Sequence, residues 1–398
     1  MSNIIFSWEM GSNSGHISEI LPLAKTLKNQ GHTVNLLFRE IHGINLSDLD
    51  NIRVFQSPIW LANVSGLAKP PISFAEILLR FGYHDKTYLI KMIEVWCNTL
   101  KLFNPDLLIA NFSPTAILAA RILNLPVMTI GTGFYTPPSI NPLPSIRPWL
   151  QNDNQRLLNS DIRVTKTINS AISSYGAEPI ASLADLFKVH KNFFFTYPEL
   201  DHYHNRAINN IDEFIGPIFD MSRGPEVSWT YNSNVKVFVY LRPNFRDCEL
   251  VIRALQQLDY AVIAVIPGLS QSAKEKLHGK NINIYTESIQ LRSIVNECDL
   301  AIGYGGHGFT SAMLLSNVPQ LIFPTNIEQF LLAQRIENLG ACEVVNTEAH
   351  TPNYYDLIKN LITKKSLKSS CIQYAKRYPK YNQDNQLNKI KNYIELNI

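Results

Sequence analysis

The sequence is poor in patterned cysteine. Its 398 residues include five cysteines, and no two of them form a CxxC pair. They are Cys97, Cys248, Cys298, Cys342 and Cys371. An odd, unpatterned count in a chain of this length is typical of reduced thiols in a cytoplasmic protein, and it favours neither a disulfide framework nor a zinc site.

The chain also lacks a strong charge bias and a long apolar run. Its 36 basic and 33 acidic residues give a formal net charge of +3, which argues against nucleic-acid binding through charge alone. No apolar run approaches the roughly 18 residues that span a bilayer, and the N-terminus shows no signal-peptide pattern. We therefore expect a globular, cytoplasmic protein without a transmembrane segment.

Strand and helix patterns alternate in the N-terminal half, which predicts a parallel α/β sheet covered on both faces. Residues 72–103 predict two inserted helices, and the proline-rich residues 132–148 predict an ordered loop or a linker. The predicted elements are strand Ile4–Trp8, a helix from His16 to about Gln30, and strands Thr33–Phe38, Asp106–Ala110 and Val127–Ile130.

A second alternating stretch begins near Val235, so we expect a second sheet of the same kind. Its predicted strands are Val235–Leu241, Tyr260–Ile266, Ile282–Tyr285, Leu300–Ile302 and Pro319–Phe323. The sequence thus predicts two doubly wound, Rossmann-like domains that face each other across a cleft. The predicted divisions are a domain over 1–217, a linker over 218–234, a domain over 235–375 and a terminal helix over 376–398.

The loops that follow the strands of such sheets hold ligands, so residues 9–16 and 303–310 are the informative ones. The second loop contains Gly303, Gly305, Gly306 and Gly308 directly before a predicted helix. Its backbone N–H groups and the positive end of the helix dipole would suit a diphosphate. A purely steric need for glycine in a strand-to-helix turn explains the same residues about equally well.

The residues that follow this turn extend it into a longer pattern. Asn317-Val318-Pro319 leads into the last predicted strand, and Glu328-Gln329 opens a helix after it. The run from Tyr304 to Ala341 resembles the donor-binding signature of the family 1 glycosyltransferases, which have the GT-B fold. In the N-terminal half, Gly15-His16 and the segment from Leu21 to Val34 resemble the first strand, loop and helix of that family.

The resemblance covers most of residues 3–345 and implies an inverting, metal-independent glycosyltransferase. The N-terminal domain would bind the acceptor, and the C-terminal domain would bind a UDP- or dTDP-sugar as co-substrate, with no other cofactor. The terminal helix would pack back on the N-terminal domain. A monomer or a homodimer is expected.

His16 lies where the family has its general base, and a positioned imidazole can remove the proton of an acceptor hydroxyl. From its position alone, His16 is better explained as a residue that caps or packs at a helix start, and the resemblance reverses this preference. Asn111 lies where many members have the aspartate that holds this histidine. An amide can fix the tautomer but cannot stabilise an imidazolium as a carboxylate does. Either Glu9 or another carboxylate replaces that aspartate, or catalysis is weaker.

The resemblance also assigns the donor contacts. Tyr304 replaces the family's phosphate-binding histidine, and Ala312 replaces a ribose-binding glutamate, which leans toward a dTDP donor without deciding it. His307, Arg242 or the backbone N–H groups could supply what the tyrosine lacks. The expected donor-binding residues are Arg242, Gln290, Tyr304, Gly305, Gly306, His307, Gly308, Thr310, Glu328 and Gln329.

The acceptor pocket is expected to be aromatic, lined by Trp60, Phe81, Phe134 and Tyr135. This composition suggests a hydrophobic small molecule or a lipid, although core packing explains such side chains equally well. The basic C-terminal tail is interpreted as a solvated helix face, with a weak membrane-surface role as the alternative if the acceptor is a lipid. Asp48-Leu49-Asp50 is a DxD sequence, but its polar surroundings indicate a solvated loop, so no metal site is predicted.

Two other functions fit the same sequence. The exchanges at positions 111, 304 and 312 suit a non-catalytic GT-B relative that binds or activates a partner. A sugar-nucleotide epimerase of similar architecture would also bind a nucleotide sugar, but it would turn over without an acceptor.

Overall fold

A computed structural model describes residues 1–12, 15–41, 44, 46–150, 154–204, 206, 211–347 and 351–398. The predicted loop over 9–16 is therefore described except for residues 13 and 14. The chain forms two compact units. We call Met1–Ile218 with Asn382–Ile398 the N-terminal unit, and Phe219–Tyr381 the C-terminal unit.

The N-terminal unit is built on a six-stranded parallel sheet. The strands are β1 (Asn3–Trp8), β2 (Thr33–Phe38), β3 (Arg53–Gln56), β4 (Leu107–Asn111), β5 (Val127–Gly131) and β6 (Lys191–Phe194). Their order is β3-β2-β1-β4-β5-β6. This Rossmann order reverses direction between β1 and β4, and the loops after those two strands therefore open around a crevice.

Five helices accompany these strands along the chain. They are α1 (Gly15–Asn29), α2 (Phe74–Leu79), α3 (Lys86–Phe103), α4 (Pro114–Ile122) and α5 (Asn154–Ile172). The capping residues explain why α3 has these ends: Asp85 accepts hydrogen bonds from the N–H groups of Thr87 and Tyr88, and Asn104 ends the helix in the left-handed conformation. The two helices predicted over 72–103 are confirmed as α2 and α3.

The C-terminal unit repeats the same topology. Its strands are β7 (Lys236–Tyr240), β8 (Ala261–Val265), β9 (Ile282–Tyr285), β10 (Leu300–Gly303), β11 (Gln320–Ile322) and β12 (Cys342–Val344). The order β12-β11-β10-β7-β8-β9 places the reversal between β7 and β10. Its helices are α6 (Cys248–Gln256), α7 (Gln271–Lys276), α8 (His307–Leu315), α9 (Ile327–Asn338), α10 (Tyr354–Thr363) and α11 (Lys365–Ala375).

The stretch predicted as a linker, 218–234, packs along the C-terminal unit for nearly its whole length. The carbonyl oxygens of Met221 and Pro225 accept hydrogen bonds from the N–H groups of Arg292 and Gln290, both at 3.0 Å. Gly224, at φ +92°, approaches the Ser288 carbonyl so closely that a Cβ there would lie 2.1 Å from its oxygen. The glycines and prolines that suggest a linker thus permit a close backbone crossing.

The last helix, α12 (Gln383–Asn397), belongs to the N-terminal unit and packs against α1. Tyr393 on α12 lies edge-on to Phe193 of β6, with ring centroids 5.6 Å apart, and donates a hydrogen bond to the His190 carbonyl. No helix in the described part of the chain is long and apolar enough to cross a bilayer.

Candidate active site

His16 lies at the reversal point of the N-terminal sheet. It is the second residue of α1, which follows β1 after a short loop, and its side chain is 4% exposed. Asn111 is the last residue of β4 and is the register partner of Trp8 at the end of β1. The neighbouring strands therefore bring two residues 95 positions apart into contact.

The Asn111 side chain fixes the tautomer of the imidazole. Its Oδ1 lies 2.7 Å from Nδ1 of His16. Its Nδ2 donates to Oε2 of Glu19 at 2.7 Å and to the Ile130 carbonyl at 3.3 Å, which sets the orientation of the amide. Because Oδ1 can only accept, Nδ1 of His16 carries the proton and Nε2 keeps its lone pair. His16 is therefore arranged as a base at Nε2.

Aromatic rings enclose the imidazole. The Trp8 ring stacks on it with centroids 4.7 Å apart, and the Tyr135 ring lies 5.0 Å away. Phe112 stacks on Tyr135 at 4.7 Å and has φ +49°, a strained conformation for a bulky residue. The left-handed turn at Phe112 lies directly after Asn111, at the point where the chain leaves the sheet. Glycine is required at position 11, where a Cβ would lie 2.6 Å from Nε2 of His16.

Burial lowers the pKa of His16 to about 4, the Asn111 hydrogen bond partly opposes this shift, and the Arg39 charge adds to it. The ring is therefore neutral at pH 7. A neutral imidazole is the form that can accept a proton.

Glu9 is the second buried titratable group beside β1, and its role is separate. Its carboxyl accepts hydrogen bonds from the backbone N–H of Thr115 at 2.9 Å and from the Thr115 hydroxyl at 2.5 Å. Burial raises the pKa of Glu9 to about 7, although these hydrogen bonds and Arg39 oppose the shift. Glu9 thus joins β1 to the start of α4, whereas Glu19 is the carboxylate that contacts Asn111.

The glycine-containing turn lies at the reversal point of the C-terminal sheet. It joins β10 to α8, and Gly303 is the register partner of Tyr240 at the end of β7. Gly305 has φ +81°, and a Cβ there would lie 3.0 Å from the Ile322 side chain and 3.4 Å from the Gln329 carbonyl oxygen. Gly306 begins α8 without a capping side chain. The first-turn N–H groups of a helix have no acceptor within the helix, so this end suits an anion.

Arg242 and Tyr304 meet beside this turn. The Arg242 guanidinium lies 5.3 Å from the centre of the Tyr304 ring, and the Tyr240 ring centre lies 5.4 Å from the same ring centre. Burial and the neighbouring Tyr240 raise the pKa of Tyr304 well above its usual value, so the phenol is neutral. Arg242 therefore brings the positive charge that a tyrosine at position 304 cannot supply.

The other predicted donor residues occupy different depths. His307 and Gly308, the first residues of α8, are half-buried, and burial lowers the pKa of His307 to about 4, so its ring adds no charge at pH 7. Thr310 is fully buried, and its backbone N–H already donates to the Gly306 carbonyl. Thr310 supports the turn from within the core. None of its atoms is exposed for the predicted contact with the donor.

Glu328 and Gln329 open α9. The Gln329 side-chain oxygen accepts hydrogen bonds from the N–H and the hydroxyl of Thr325, both at 2.8 Å, so it shapes the entry to the helix. Its backbone lies against Gly305, as described above. Gln290 follows β9, two strands from β7, and is held through its backbone N–H by Pro225. The structure therefore gathers Arg242, the turn and Gln329, with Gln290 farther along the sheet edge.

The predicted acceptor residues fall into separate groups. Phe134 and Tyr135 are buried near His16, and Phe134 stacks on Tyr203 at 6.3 Å. Trp60 instead packs edge-on against His84 and Tyr88, at 5.8 and 5.4 Å. Phe81 is half-buried and directly precedes Gly82, where a Cβ would lie 2.9 Å from the Trp60 ring.

The DxD sequence of the N-terminal unit forms a turn at the surface. Asp50 has φ +48° and pairs with Lys25 at 3.2 Å. Within the described ranges, no group of three or more His, Cys, Asp or Glu side chains is arranged to hold a metal ion.

Sequence reasoning missed Glu19 and the ring contacts of Trp8 and Phe112. An acidic residue on the otherwise apolar face of α1 is the signal that could have found Glu19, because burying a carboxylate without a partner is costly.

Comparison with known proteins places the chain among glycosyltransferase relatives. Residues 249–377 match the model of the erythromycin biosynthesis protein CIII-like C-terminal domain. A 115-residue stretch is 31% identical to a sterol 3-beta-glucosyltransferase of Vanderwaltozyma polyspora, covering 27% of this chain and 9% of that protein. Over 303 residues, the chain is 23% identical to a PGL/p-HBAD biosynthesis glycosyltransferase of Mycobacterium tuberculosis, covering 69% of this chain and 67% of the relative.

Solved structures agree on the fold. The glycosyltransferase VinC in complex with dTDP superimposes with a TM-score of 0.65 at 16% identity, covering 98% of both chains. The calicheamicin glycosyltransferase CalG4 gives a TM-score of 0.69 at 14% identity, covering 99% of this chain and 98% of that one.

The two six-stranded parallel sheets and the match to these solved structures define the GT-B fold. The chain is similar to family 1 glycosyltransferases, and its residues 249–377 match the EryCIII-like C-terminal domain.

Glu9→Gln tests the electrostatics of this site. A carboxyl whose folded pKa is raised to about 7 from 4.5 stabilises the fold below pH 4.5, and this stability is lost as the pH rises through 7. Glutamine stays neutral at every pH. We therefore expect the free energy of unfolding of the variant to exceed that of the wild type by about 3 kcal/mol near pH 9 and by little near pH 5. Chemical unfolding across this pH range measures the difference.

Glu249→Gln, on the exposed surface of α6, is the matched control for replacing a glutamate by glutamine. An equal gain in stability for Glu9→Gln at both pH values would show that Glu9 does not cause the loss of stability at high pH.

Proposed function

We propose that the protein is an inverting glycosyltransferase that moves a sugar from a UDP- or dTDP-sugar to a hydroxyl of a hydrophobic small molecule or lipid. The observation that carries the proposal is the neutral His16 imidazole. Its Nδ1 is held by Asn111, and its Nε2 keeps a free lone pair beside the buried aromatic rings.

In the proposed reaction, Nε2 of His16 accepts the proton of the acceptor hydroxyl. The hydroxyl oxygen forms a bond to the anomeric carbon as the bond from that carbon to the diphosphate oxygen breaks, and the nucleoside diphosphate leaves with the electron pair. Attack from the face opposite the leaving group inverts the anomeric configuration. The weakly basic ring returns its proton readily to solvent, as its low pKa requires.

The donor site would be the turn between β10 and α8. First-turn N–H groups of α8 and the Arg242 guanidinium would bind the diphosphate, and Tyr304 would orient Arg242. We propose that these groups offset the diphosphate charge without a metal ion. The VinC structure contains dTDP, which supports a nucleoside diphosphate as ligand. Ala312 is fully buried, so its side chain is not available to a ribose.

Aromatic side chains support a hydrophobic acceptor. Phe134 and Tyr135 lie in the same cluster as the imidazole, and Trp60 and Phe81 lie elsewhere in the N-terminal unit. One relative is named a sterol 3-beta-glucosyltransferase, and a sterol is a largely apolar molecule, which supports an apolar acceptor. All five cysteines are unpaired and buried, which supports a cytoplasmic location.

A non-catalytic binding protein is the second candidate, favoured by the amide at position 111 and the phenol at position 304. Such a protein would bind its partner but transfer no sugar. An epimerase would convert the nucleotide sugar without an acceptor. The fixed Nε2 base favours the transferase over both.

His16→Ala tests the proposal. Removal of the base should lower the transfer rate about 10²- to 10⁴-fold at saturating substrate, while nucleotide binding stays unchanged. The measurement is sugar transfer to a panel of apolar acceptors, with dTDP and UDP binding followed by calorimetry. His32→Ala, which removes a histidine at the turn between α1 and β2, is the control and should keep its activity.

Full transfer by His16→Ala would contradict the base assignment. Nucleotide binding by the wild type without transfer or hydrolysis would favour the non-catalytic candidate, and turnover without any acceptor would favour the epimerase.

Gly305→Ala tests the donor turn. Alanine at φ +81° is strained by about 1–2 kcal/mol, and its Cβ also meets the Ile322 side chain at 3.0 Å. We expect dTDP and UDP affinity to fall at least about tenfold because the turn must shift. Calorimetric titration measures the loss.

Gly268→Ala is the matched control, because Gly268 also has φ +81° but meets no atom within 4 Å. It should lose comparable stability and keep its nucleotide affinity. Equal affinity in both variants would mean that the turn does not bind the diphosphate.

A further inference from the structure

We propose that Glu19 is a positioning residue that acts on His16 through Asn111 and supplies the negative charge that the amide at position 111 lacks. This inference rests on the proposed function, since it concerns the same base.

The three side chains form one continuous chain of hydrogen bonds. His16 donates from Nδ1 to Oδ1 of Asn111 at 2.7 Å, and Asn111 donates from Nδ2 to Oε2 of Glu19 at 2.7 Å. His16 and Glu19 lie three residues apart on α1, so both project from the same face of the helix. Asn111 reaches both of them from the end of β4.

Packing alone does not call for a carboxylate at position 19. The rest of the buried face of α1 is apolar apart from His16, and Glu19 is only 8% exposed. Burying a carboxylate costs several kcal/mol unless charged or hydrogen-bonding partners compensate it. An apolar side chain would fill this face at lower cost, and the 2.7 Å hydrogen bond from Asn111 gives the acid a function at this position.

The negative charge of the Glu19 carboxylate has its effect when His16 takes up a proton. The imidazolium keeps its Nδ1 hydrogen bond to the amide oxygen, but a neutral amide offsets little of the new positive charge. A carboxylate on the far side of the amide polarises it, places more negative charge on Oδ1 and attracts the imidazolium directly. Glu19 would thus play the part of a carboxylate in direct contact with the ring, although Asn111 lies between Glu19 and the imidazole.

The other titratable groups around the ring do not fill this role. Arg39, after β2, disfavours the imidazolium and lowers the His16 pKa. The Glu9 carboxyl is engaged by Thr115 on α4. Tyr135 contacts the ring face with its own ring. Of these groups, Glu19 is the carboxylate that shares a hydrogen-bond partner with the imidazole.

Glu19→Gln separates charge from shape. The glutamine oxygen can accept the same hydrogen bond from Asn111, so the amide keeps its orientation while the charge is lost. We expect kcat to fall about 10- to 100-fold with KM nearly unchanged. The double variant Asn111→Asp with Glu19→Gln moves the single carboxylate next to the ring, and it should recover most of the lost kcat.

A second readout does not depend on turnover. The pKa of His16, followed by NMR, should be lower in Glu19→Gln than in wild type and higher in the double variant. Asn111→Asp alone would place two carboxyl groups in hydrogen-bond contact, where they would share a proton. Its kcat should therefore be below that of the double variant.

An unchanged kcat and an unchanged His16 pKa in Glu19→Gln would overturn the inference, as would a double variant no better than Glu19→Gln. If the wild type transfers no sugar, the proposed function fails, but the comparison of His16 pKa values still decides the role of Glu19. Should Glu19→Gln fail to fold, the double variant measured against Asn111→Asp decides it in the same way.

Discussion

The hydrogen bond from Nδ1 of His16 to Oδ1 of Asn111 is the interaction on which the rest of this account depends. It determines which imidazole nitrogen carries the proton, and it leaves Nε2 as a base. The bond can form because β1 and β4 are neighbours in the N-terminal sheet, so the ends of two distant segments meet. Trp8, Tyr135 and the strained Phe112 surround the ring and keep it neutral at pH 7.

The same topology explains the second site. In each sheet the strand order reverses at one place. The reactive and charged side chains follow the two strands that flank this reversal. In the N-terminal unit this place joins an imidazole, an amide and a carboxylate. In the C-terminal unit it joins Arg242 with a glycine turn that begins α8. One arrangement of strands thus presents the His16 imidazole in one unit and the proposed anion site in the other.

Local patterns in the sequence were sufficient for the fold class, most of the strands, the glycine turn and, through the family resemblance, His16 and Asn111. β3, β6 and β12 are not among the predicted strands, because each is short and only partly apolar. The partnership of Glu19 with Asn111 spans 92 positions, so no local pattern contains it. The burial of Thr310 and the packing of residues 219–234 likewise depend on tertiary contacts that propensities do not encode.

The protonation state of the His16 ring is the most direct test of the central claim. Nitrogen-15 NMR of the imidazole, assigned by comparison with His16→Ala, distinguishes the two neutral tautomers and the imidazolium. We expect a neutral ring at pH 7 with its proton on Nδ1 and a free Nε2. A ring protonated at Nε2, or an imidazolium at that pH, would contradict the account.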